Sequence, residues 1–338
     1  MTIFEYNFVI KTENKVFEPY TVKEELGTGG FATVRKAEYR GIDDYQFAMK
    51  SMKKKVEGLD MKPCIINELD ILNTLDHPNI ANFNECYEDD TYIHAILEFS
   101  PGKSLAQLFT EILERMPTLD LMKIFYQIVK TAAYLKKIEI VHRDYKPPNI
   151  MIYKTDKYEL LGYQIQLLDF GFARKLHNKT IKEVDMSKEI IMGSPHYIAP
   201  EALISSYGFP SDVWSIGVML YFAIALRHPF EEDNEDDLFK SIKLDRVKFE
   251  PESEWKDISP DLIDLIEQML TKDPDRRITI EKVFKHPAFA EVHSIVKSSC
   301  LSSAEIEQLS RYFRLSPIQR KFLKYSTKFI PPKEKLPY

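Results

Sequence analysis

The sequence predicts an α+β chain of two unequal lobes, a small β-rich N-terminal lobe followed by a larger helical one. Three observations predict it. Residues 20–50 alternate like strands around a glycine-rich turn, apolar residues recur at helical spacing beyond about residue 102, and residues 212–226 (DVWSIGVMLYFAIAL) are apolar on nearly every side. The first pattern has a period of two and the second a period of ~3.6. The third marks a helix without a water-facing stripe, hence the middle of a core. A length of 338 residues suits about two such units at roughly 150 residues each.

The elements follow in order. TVRKAEY (33–39) and YQFAMK (45–50) have alternating or apolar β character. PCIINELDILNTL (63–75) reads as a helix, because Ile65, Ile66, Leu69 and Leu72 share one face and Pro63 stands near its start. YIHAILEF (92–99) is a further strand, and the first lobe ends near residue 98. In the second lobe Leu121, Ile124, Phe125, Ile128, Val129, Ala132 and Leu135 follow the i, i+3, i+4, i+7 rule. The acidic run Glu231–Asp237 reads as a solvated loop, DLIDLIEQML (261–270) as an amphipathic helix, and HPAF (286–289) as the end of the body. These readings divide the chain into an N-terminal extension (1–19), a main body (20–290, lobes about 20–98 and 102–290) and a C-terminal segment (291–338).

Hydrophobic residues at 44% and charged residues at 29% describe a folding chain rather than a disordered one. A net charge of −6 argues against nucleic acid as a partner. No apolar run approaches the ~18 residues of an integral membrane segment. The N-terminus lacks the layout of a secretory signal, and Thr2 stands where myristoylation needs glycine. Cys64, Cys86 and Cys300 are far apart and form no C-x-x-C pair. That argues against a disulfide framework or a zinc site, fits a reducing compartment, and leads us to expect a cytoplasmic protein. Charge is uneven: residues 301–338 hold eight Lys/Arg against three Glu, net +5, leaving −11 for the rest. Within them 309–330 (LSRYFRLSPIQRKFLKYSTKFI) carries six basic residues and no acid. Ser316-Pro317 opens a helix there, and Ile318, Phe322, Tyr325 and Phe329 fall on one face. A basic amphipathic helix suits calmodulin or another EF-hand protein, an anionic membrane surface, or docking on its own body; permanent packing is the plainer alternative.

Four segments carry chemistry. Gly27-Thr28-Gly29-Gly30-Phe31-Ala32-Thr33-Val34 lies between strands, where glycines let backbone N–H groups approach phosphate oxygens. An ordinary hairpin turn uses glycines as well, so this segment alone decides nothing. Lys50 ends the apolar strand that includes Ala48, and Glu68 follows 18 residues later on the helix, a pair able to hold an ammonium against phosphates. Then comes His142-Arg143-Asp144-Tyr145-Lys146-Pro147-Pro148-Asn149, with Asp169-Phe170-Gly171 placing Asp169 20 residues after Asn149.

In this order and spacing, with Ala199-Pro200-Glu201, Asp212-Val213-Trp214-Ser215 and Asp273-Pro274-Asp275-Arg276-Arg277 beyond, the chain resembles the eukaryotic protein-kinase family over about residues 20–290. The resemblance implies a bilobal protein-kinase fold and transfer of the γ-phosphoryl group of ATP, with Mg²⁺, to Ser or Thr of protein substrates. It implies that Asp144 accepts the substrate proton, Lys146 stabilises the transferring group, and Asn149 and Asp169 hold Mg²⁺. By the same resemblance Gly27 and Gly29 cover the phosphates, Lys50 anchored by Glu68 holds them, Val34, Ala48 and Met151 pack on adenine, and Glu98 and Ser100 offer hinge hydrogen bonds beside Leu97. It makes His142, Phe170, Glu201 and Arg277 scaffold, with Glu201 and Arg277 as a buried ion pair. The alternative is a pseudokinase-type scaffold, against which stand Lys50, Asp144, Asn149 and Asp169 all being present.

NELDILNTLDHPNI, YIAPE and DPDRRIT…HPAF look most like the calcium/calmodulin-dependent kinase group, nearest to the calcium-dependent protein kinases. No D-x-[DN]-x-[DN]-G calcium loop occurs in these residues. The basic segment at 309–330 then resembles that group's autoinhibitory junction. Ala32, Ser104 and Pro148 depart from the family pattern. The last two stand where acids commonly receive a basic substrate residue.

Overall fold

The computed structural model describes residues 9–11, 20–41, 46–111, 116–154, 162–176, 181–182 and 194–298. The N-terminal lobe comprises strands β1 (Val9–Lys11), β2 (Tyr20–Thr28), β3 (Ala32–Tyr39) and β4 (Gln46–Lys53), the hairpin β5 (Lys55–Val56) and β6 (Leu59–Asp60), helix α1 (Lys62–Thr74), and strands β7 (Phe83–Glu88) and β8 (Tyr92–Glu98). Six strands form one sheet in the order β1-β7-β8-β4-β3-β2. All its pairs are antiparallel except β1 on β7. The three-residue β1 falls within the stretch read from sequence as an extension, and is too short to show a period.

Register decides what each face of this sheet does. Val34 and Ala95 lie opposite Lys50, and Leu97 lies opposite Ala48. Directly opposed side chains share a face, and side chains alternate along each strand. Val34, Ala48, Lys50 and Leu97 therefore share one face, while Ala37, Phe47, Met49 and Ile96 occupy the other. The second face packs with Tyr20 and Tyr87 into a core, where Tyr20 meets Phe47 edge-on at 5.2 Å. Beneath the sheet α1 buries Ile65, Ile66, Leu69 and Leu72, and Glu68 with them.

The second lobe begins at β9 (Lys103–Ser104), α2 (Leu105–Glu111) and α3 (Thr118–Lys137). Gly102, at φ +100°, must be glycine, since a Cβ there would lie 2.4 Å from the Ile152 carbonyl oxygen. Ser104 caps α2: its Oγ accepts the Gln107 N–H at 3.1 Å, and Gln107 Oε1 accepts the Ser104 N–H at 2.8 Å. Next come β10 (Ile140–Val141), β11 (Ile150–Lys154), β12 (Tyr163–Leu167), β13 (Arg174–Lys175), β14 (Ile181–Lys182) and β15 (Ser206–Tyr207). Strand β11 lies between β12 and β9.

Helix α4 (Phe209–Ala225) is buried along almost its whole length, as its all-round apolar sequence requires. At Gly217 a Cβ would come within 2.8 Å of Met269 Cβ, so glycine lets α4 approach the helix that carries Met269. Helices α3, α6 (Glu252–Trp255), α7 (Pro260–Met269) and α8 (Ile280–Phe284) pack on α4, α5 (Glu235–Leu244) packs on the 195–197 turn, and α9 (Ala290–Ser298) ends the described chain. The acidic run is not wholly loop. Asn234 caps α5 by accepting the Asp237 N–H, and Glu235, Asp236 and Asp237 form its first turn, where carboxylates meet the positive end of the helix dipole. The chain divides into units at Val292. Of the second unit only residues 293–298 are described, so the basic segment at 309–330 lies outside the described residues. Among the described residues no helix is long and apolar enough to cross a membrane.

Candidate active site

Strand period and helix position bring Lys50 and Glu68 together. Lys50 Nζ lies 2.7 Å from Glu68 Oε1 and 2.8 Å from Asp169 Oδ1. Burial alone would lower the lysine pKa, but the two carboxylates overcome it and raise Lys50 above its usual range. Burial raises Glu68, with Lys50 opposing. Burial also acts to raise Asp169, yet Lys50 and the Gly171 N–H bring it down to about 2. Asp169 stays a carboxylate throughout the neutral range, and its side chain keeps 42% of its surface open. At Gly171 a Cβ would sit tightly, 3.3 Å from Asp169 Oδ1, and in ordinary contact with Glu68 Oε2 at 3.5 Å.

The segment after β10 forms the second half of the site. Asp212, at the start of α4, accepts the N–H groups of His142 and Arg143, each at 2.9 Å. Burial raises its carboxyl to about 7 despite these donors. Clamped in this way, Arg143 takes φ +71°; Asp169 takes φ +55°, both uncommon for residues with a side chain. Asp144 Oδ2 lies 2.8 Å from Lys146 Nζ and accepts Asn149 Nδ2–H at 2.8 Å. The donor end of the Asn149 amide is thus fixed on Asp144, leaving Oδ1 as its free acceptor. The Leu168 N–H donates to the Asn149 carbonyl at 2.8 Å, which ties the Asn149 turn to the residue preceding Asp169.

Of the residues expected to be scaffold, His142, Phe170 and Arg277 are buried and Glu201 is partly buried. His142 Nδ1 accepts the Asp144 N–H at 3.3 Å, so Nε2 carries the proton toward Leu168 O at 3.3 Å, and burial lowers the His142 pKa. Phe170 packs on the His142 ring at 4.8 Å. Arg277 grips Glu201 with two bonds of 2.7 and 2.8 Å.

The remaining expected residues are divided between the two lobes. Gly27 pairs with Val34 across the β2–β3 hairpin, and the Gly29 N–H closes the turn on Ala32 O at 2.8 Å. Neither positive φ nor crowding demands glycine at 27 or 30, where a Cβ would meet nothing within 4 Å. The glycines keep open space beneath the turn rather than relieve strain within it. Val34, Ala48 and Met151 are only half-buried. Met151 pairs with Ser104 and Gln166 in the lower sheet. Glu98 turns its carboxylate to Asn82, whose N–H it accepts at 3.2 Å, and its own N–H donates to Asn82 O at 2.8 Å. Ser100 Oγ is buried without a hydrogen-bond partner among the described residues.

Sequence reasoning missed Asp212 as the clamp of the 142–144 backbone, though it stands in the DVWS motif. It also missed a buried chain on the far face of the sheet, in which Ser51 Oγ lies 2.8 Å from His94 Nδ1 and His94 Nε2 lies 3.2 Å from Asp89 Oδ2. The register pairs Ser51 with His94, a relation no sequence spacing reveals.

A glycine hairpin over a lysine–carboxylate cluster, with an Asp–Lys–Asn group below, defines a phosphoryl-transfer class of site. The comparisons agree: the protein kinase domain family matches residues 20–289, and the chain belongs to that family, which generally uses ATP and Mg²⁺. It is 30% identical over 285 residues to calcium-dependent protein kinase 3 of Plasmodium yoelii yoelii, covering 83% of this chain and 50% of that protein. It is 34% identical to a probable serine/threonine-protein kinase of Dictyostelium discoideum, covering 80% of this chain and 38% of the other. It is 29% identical to calcium/calmodulin-dependent protein kinase type 1 of Macrobrachium nipponense, covering 95% of this chain and 91% of the other. The chain thus spans about half the length, or less, of the first two relatives. These relatives support the resemblance to the calcium/calmodulin-dependent group.

Proposed function

We propose that this chain is a serine/threonine protein kinase that moves the γ-phosphoryl group of ATP to a protein Ser or Thr hydroxyl. The observation that carries the reading is the joint placement of Lys50 between Glu68 and Asp169 and of Asp144 between Lys146 and Asn149. Among the described residues no three acids or histidines cluster as a ready metal cage. Two oxygen donors, Asn149 Oδ1 and Asp169, fit Mg²⁺, which is ordinarily completed by phosphates and water. Bound Mg²⁺ and ATP supply the phosphoryl group and the divalent charge that offsets its oxygens.

The chain's own residues do the positioning. Lys50, kept cationic by its carboxylate neighbours, holds phosphate oxygens while Glu68 fixes its direction. Gly27 and Gly29 leave room for phosphates under the hairpin. Val34, Ala48 and Met151 give an apolar seat for the base, and the backbone at Glu98 and Ser100 hydrogen-bonds its edge. Asp144 orients the acceptor hydroxyl and takes its proton, and Lys146 offsets charge on the transferring group. The Ser/Thr class rests on the HRDYKPPN pattern with Lys146. The body over 20–290 is the catalytic domain in this reading. The basic segment at 309–330 restrains it until calmodulin or another EF-hand protein binds. A cytoplasmic place of work is supported by the demand for ATP and by the wide separation of Cys64, Cys86 and Cys300 in the sequence.

The test is phosphoryl transfer to a mixed Ser/Thr peptide pool. Asp144→Asn and Asp169→Asn should each keep the fold and lose at least ~10²-fold in turnover, the order that one preorganised charge contact contributes. Near wild-type transfer by both folded variants overturns the reading.

A further inference from the structure

Helix α1 makes polar contacts on two sides. Glu68 reaches Lys50 Nζ at 2.7 Å. Asn67 lies about 100° round the helix from it, and Asp70, three residues on, shares the side of Asn67. That side meets the chain that follows Asp169. Asn67 Nδ2 donates to the Ala173 carbonyl at 3.0 Å. A carbonyl only accepts, so the amide end that faces it is the donor. Asp70 Oδ2 lies 3.1 Å from Lys175 Nζ, but the two side chains keep 51% and 38% of their surface, and an exposed pair contributes little. Asn67 is half-buried and Ala173 is wholly buried. Asparagine is a poor residue for the middle of a helix, because its amide competes with the backbone. At the centre of α1 that cost is offset by a contact to another segment.

Ala173 stands at a junction. Its N–H donates to Phe170 O at 3.0 Å and closes the turn after Asp169. Its carbonyl also accepts Arg174 Nη1 at 2.8 Å. The chain then runs as β13 antiparallel to β10, with Lys175 opposite Ile140 and Arg174 opposite Val141. The Leu176 N–H donates to Glu139 O at 2.7 Å. Strand β10 leads directly into His142-Arg143-Asp144. One amide therefore joins the helix that carries Glu68 to the strand pair from which the Asp144 segment departs.

We propose that Asn67 is a positioning residue for phosphoryl transfer: by bonding the Ala173 carbonyl it holds α1 where Glu68 directs Lys50 at the nucleotide phosphates. This rests on the kinase reading above and adds a residue to the same site. Asn67 contacts Ala173 rather than Lys50, Asp144 or Asp169, so its effect passes through Glu68. Without the bond α1 keeps its buried apolar face, and the fold survives. What changes is the setting of Glu68, and with it the hold of Lys50 on ATP. The Asp144 half of the site, clamped by Asp212, stays as it is.

The experiment measures KM for ATP at saturating peptide, and KM for the peptide at saturating ATP, on the full chain. A KM does not depend on the fraction of enzyme that is folded. Asn67→Leu removes the donor at nearly constant volume, and Asn67→Ala removes donor and volume together. Each should raise KM for ATP roughly 2–10-fold, the order that one neutral hydrogen bond contributes, and leave KM for the peptide unchanged. In a Glu68→Gln background, where the anchor is already weakened, Asn67→Leu should add nothing further, because residues that act through one another are not additive. An ATP KM unchanged in both single variants overturns the inference. So does the same fold rise in the Glu68→Gln background, which makes Asn67 independent of Glu68, and so does an equal rise in the peptide KM, which makes the change a general loosening. Transfer by wild type with an unchanged ATP KM in the variants sinks only the Asn67 assignment, whereas no transfer by wild type to any peptide sinks the kinase reading as well.

Discussion

Replacing Arg277 with methionine should destabilise the larger lobe strongly, and the structure gives the reason. The Arg277 side chain is fully buried and that of Glu201 keeps 9% of its surface. Arg277 Nε donates to Thr271 O at 2.8 Å, Nη1 to Glu201 Oε1 and Pro210 O at 2.7 Å each, and Nη2 to Glu201 Oε2 at 2.8 Å and Lys272 O at 3.1 Å. The guanidinium also lies 5.1 Å from the centre of the Trp214 ring. Methionine retains apolar contact there but leaves three carbonyls unpaired and Glu201 with only the Ser211 hydroxyl, at 2.9 Å. Removing one partner of a buried pair costs about 3–5 kcal/mol, because the other charge stays behind. At about 2–4 °C per kcal/mol for a domain near this size, the melting temperature should fall by roughly 6–20 °C. Thermal unfolding followed by circular dichroism on the full chain reads this directly. Glu201→Gln combined with Arg277→Met removes the stranded charge, so the double variant should melt above the Arg277→Met single variant. A single variant within about 2 °C of wild type, or a double variant showing the plain sum of two losses, refutes the account of a coupled, buried pair.

Three further outcomes follow. Glu68→Gln keeps shape but removes one of the two charges holding Lys50, so the KM for ATP should rise while the melting temperature changes little; an unchanged KM contradicts the anchoring role. Because Ser104 and Pro148 stand where relatives carry acids, and Ser104 caps α2 instead, a positional peptide library should show weak preference for Arg upstream of the acceptor. A dominant Arg requirement three residues upstream would mean that other carboxylates compensate. Deleting residues 300–338 should raise basal peptide phosphorylation, and a calcium-loaded EF-hand protein should bind a synthetic 309–330 peptide; equal activities together with no calcium-dependent binding remove the regulatory reading.

Most of the site was legible because its chemistry is written in short runs. Glycines between two alternating strands, a lysine at the end of the next and a glutamate on the following helix can be found without knowing any distance. Glu201 and Arg277 were likewise paired from their motifs. The unread parts depend on distant segments or on competition between local preferences. Val9–Lys11 is a strand because β7 offers an open edge, which three residues of sequence cannot announce. The acidic run looked like loop because its charges are many. Asn234, however, turns three of them into a helix start, where the dipole favours negative charge.

Asp212 is the most instructive omission. It begins the central helix, where an acid in an apolar sequence reads as an N-terminal dipole partner and nothing more. Its two oxygens instead take the N–H groups of His142 and Arg143. A backbone that places Arg143 at φ +71° costs on the order of 1–3 kcal/mol and persists only where surrounding bonds over-determine it. Two N–H bonds accepted by a carboxyl group fixed at the start of the buried helix α4 supply that determination. The positions of Asp144, Lys146 and Asn149 thus depend on α4 packing as much as on their own segment. The 142–149 motif names the groups proposed to react, but the helix that begins some 60 residues later holds them in place.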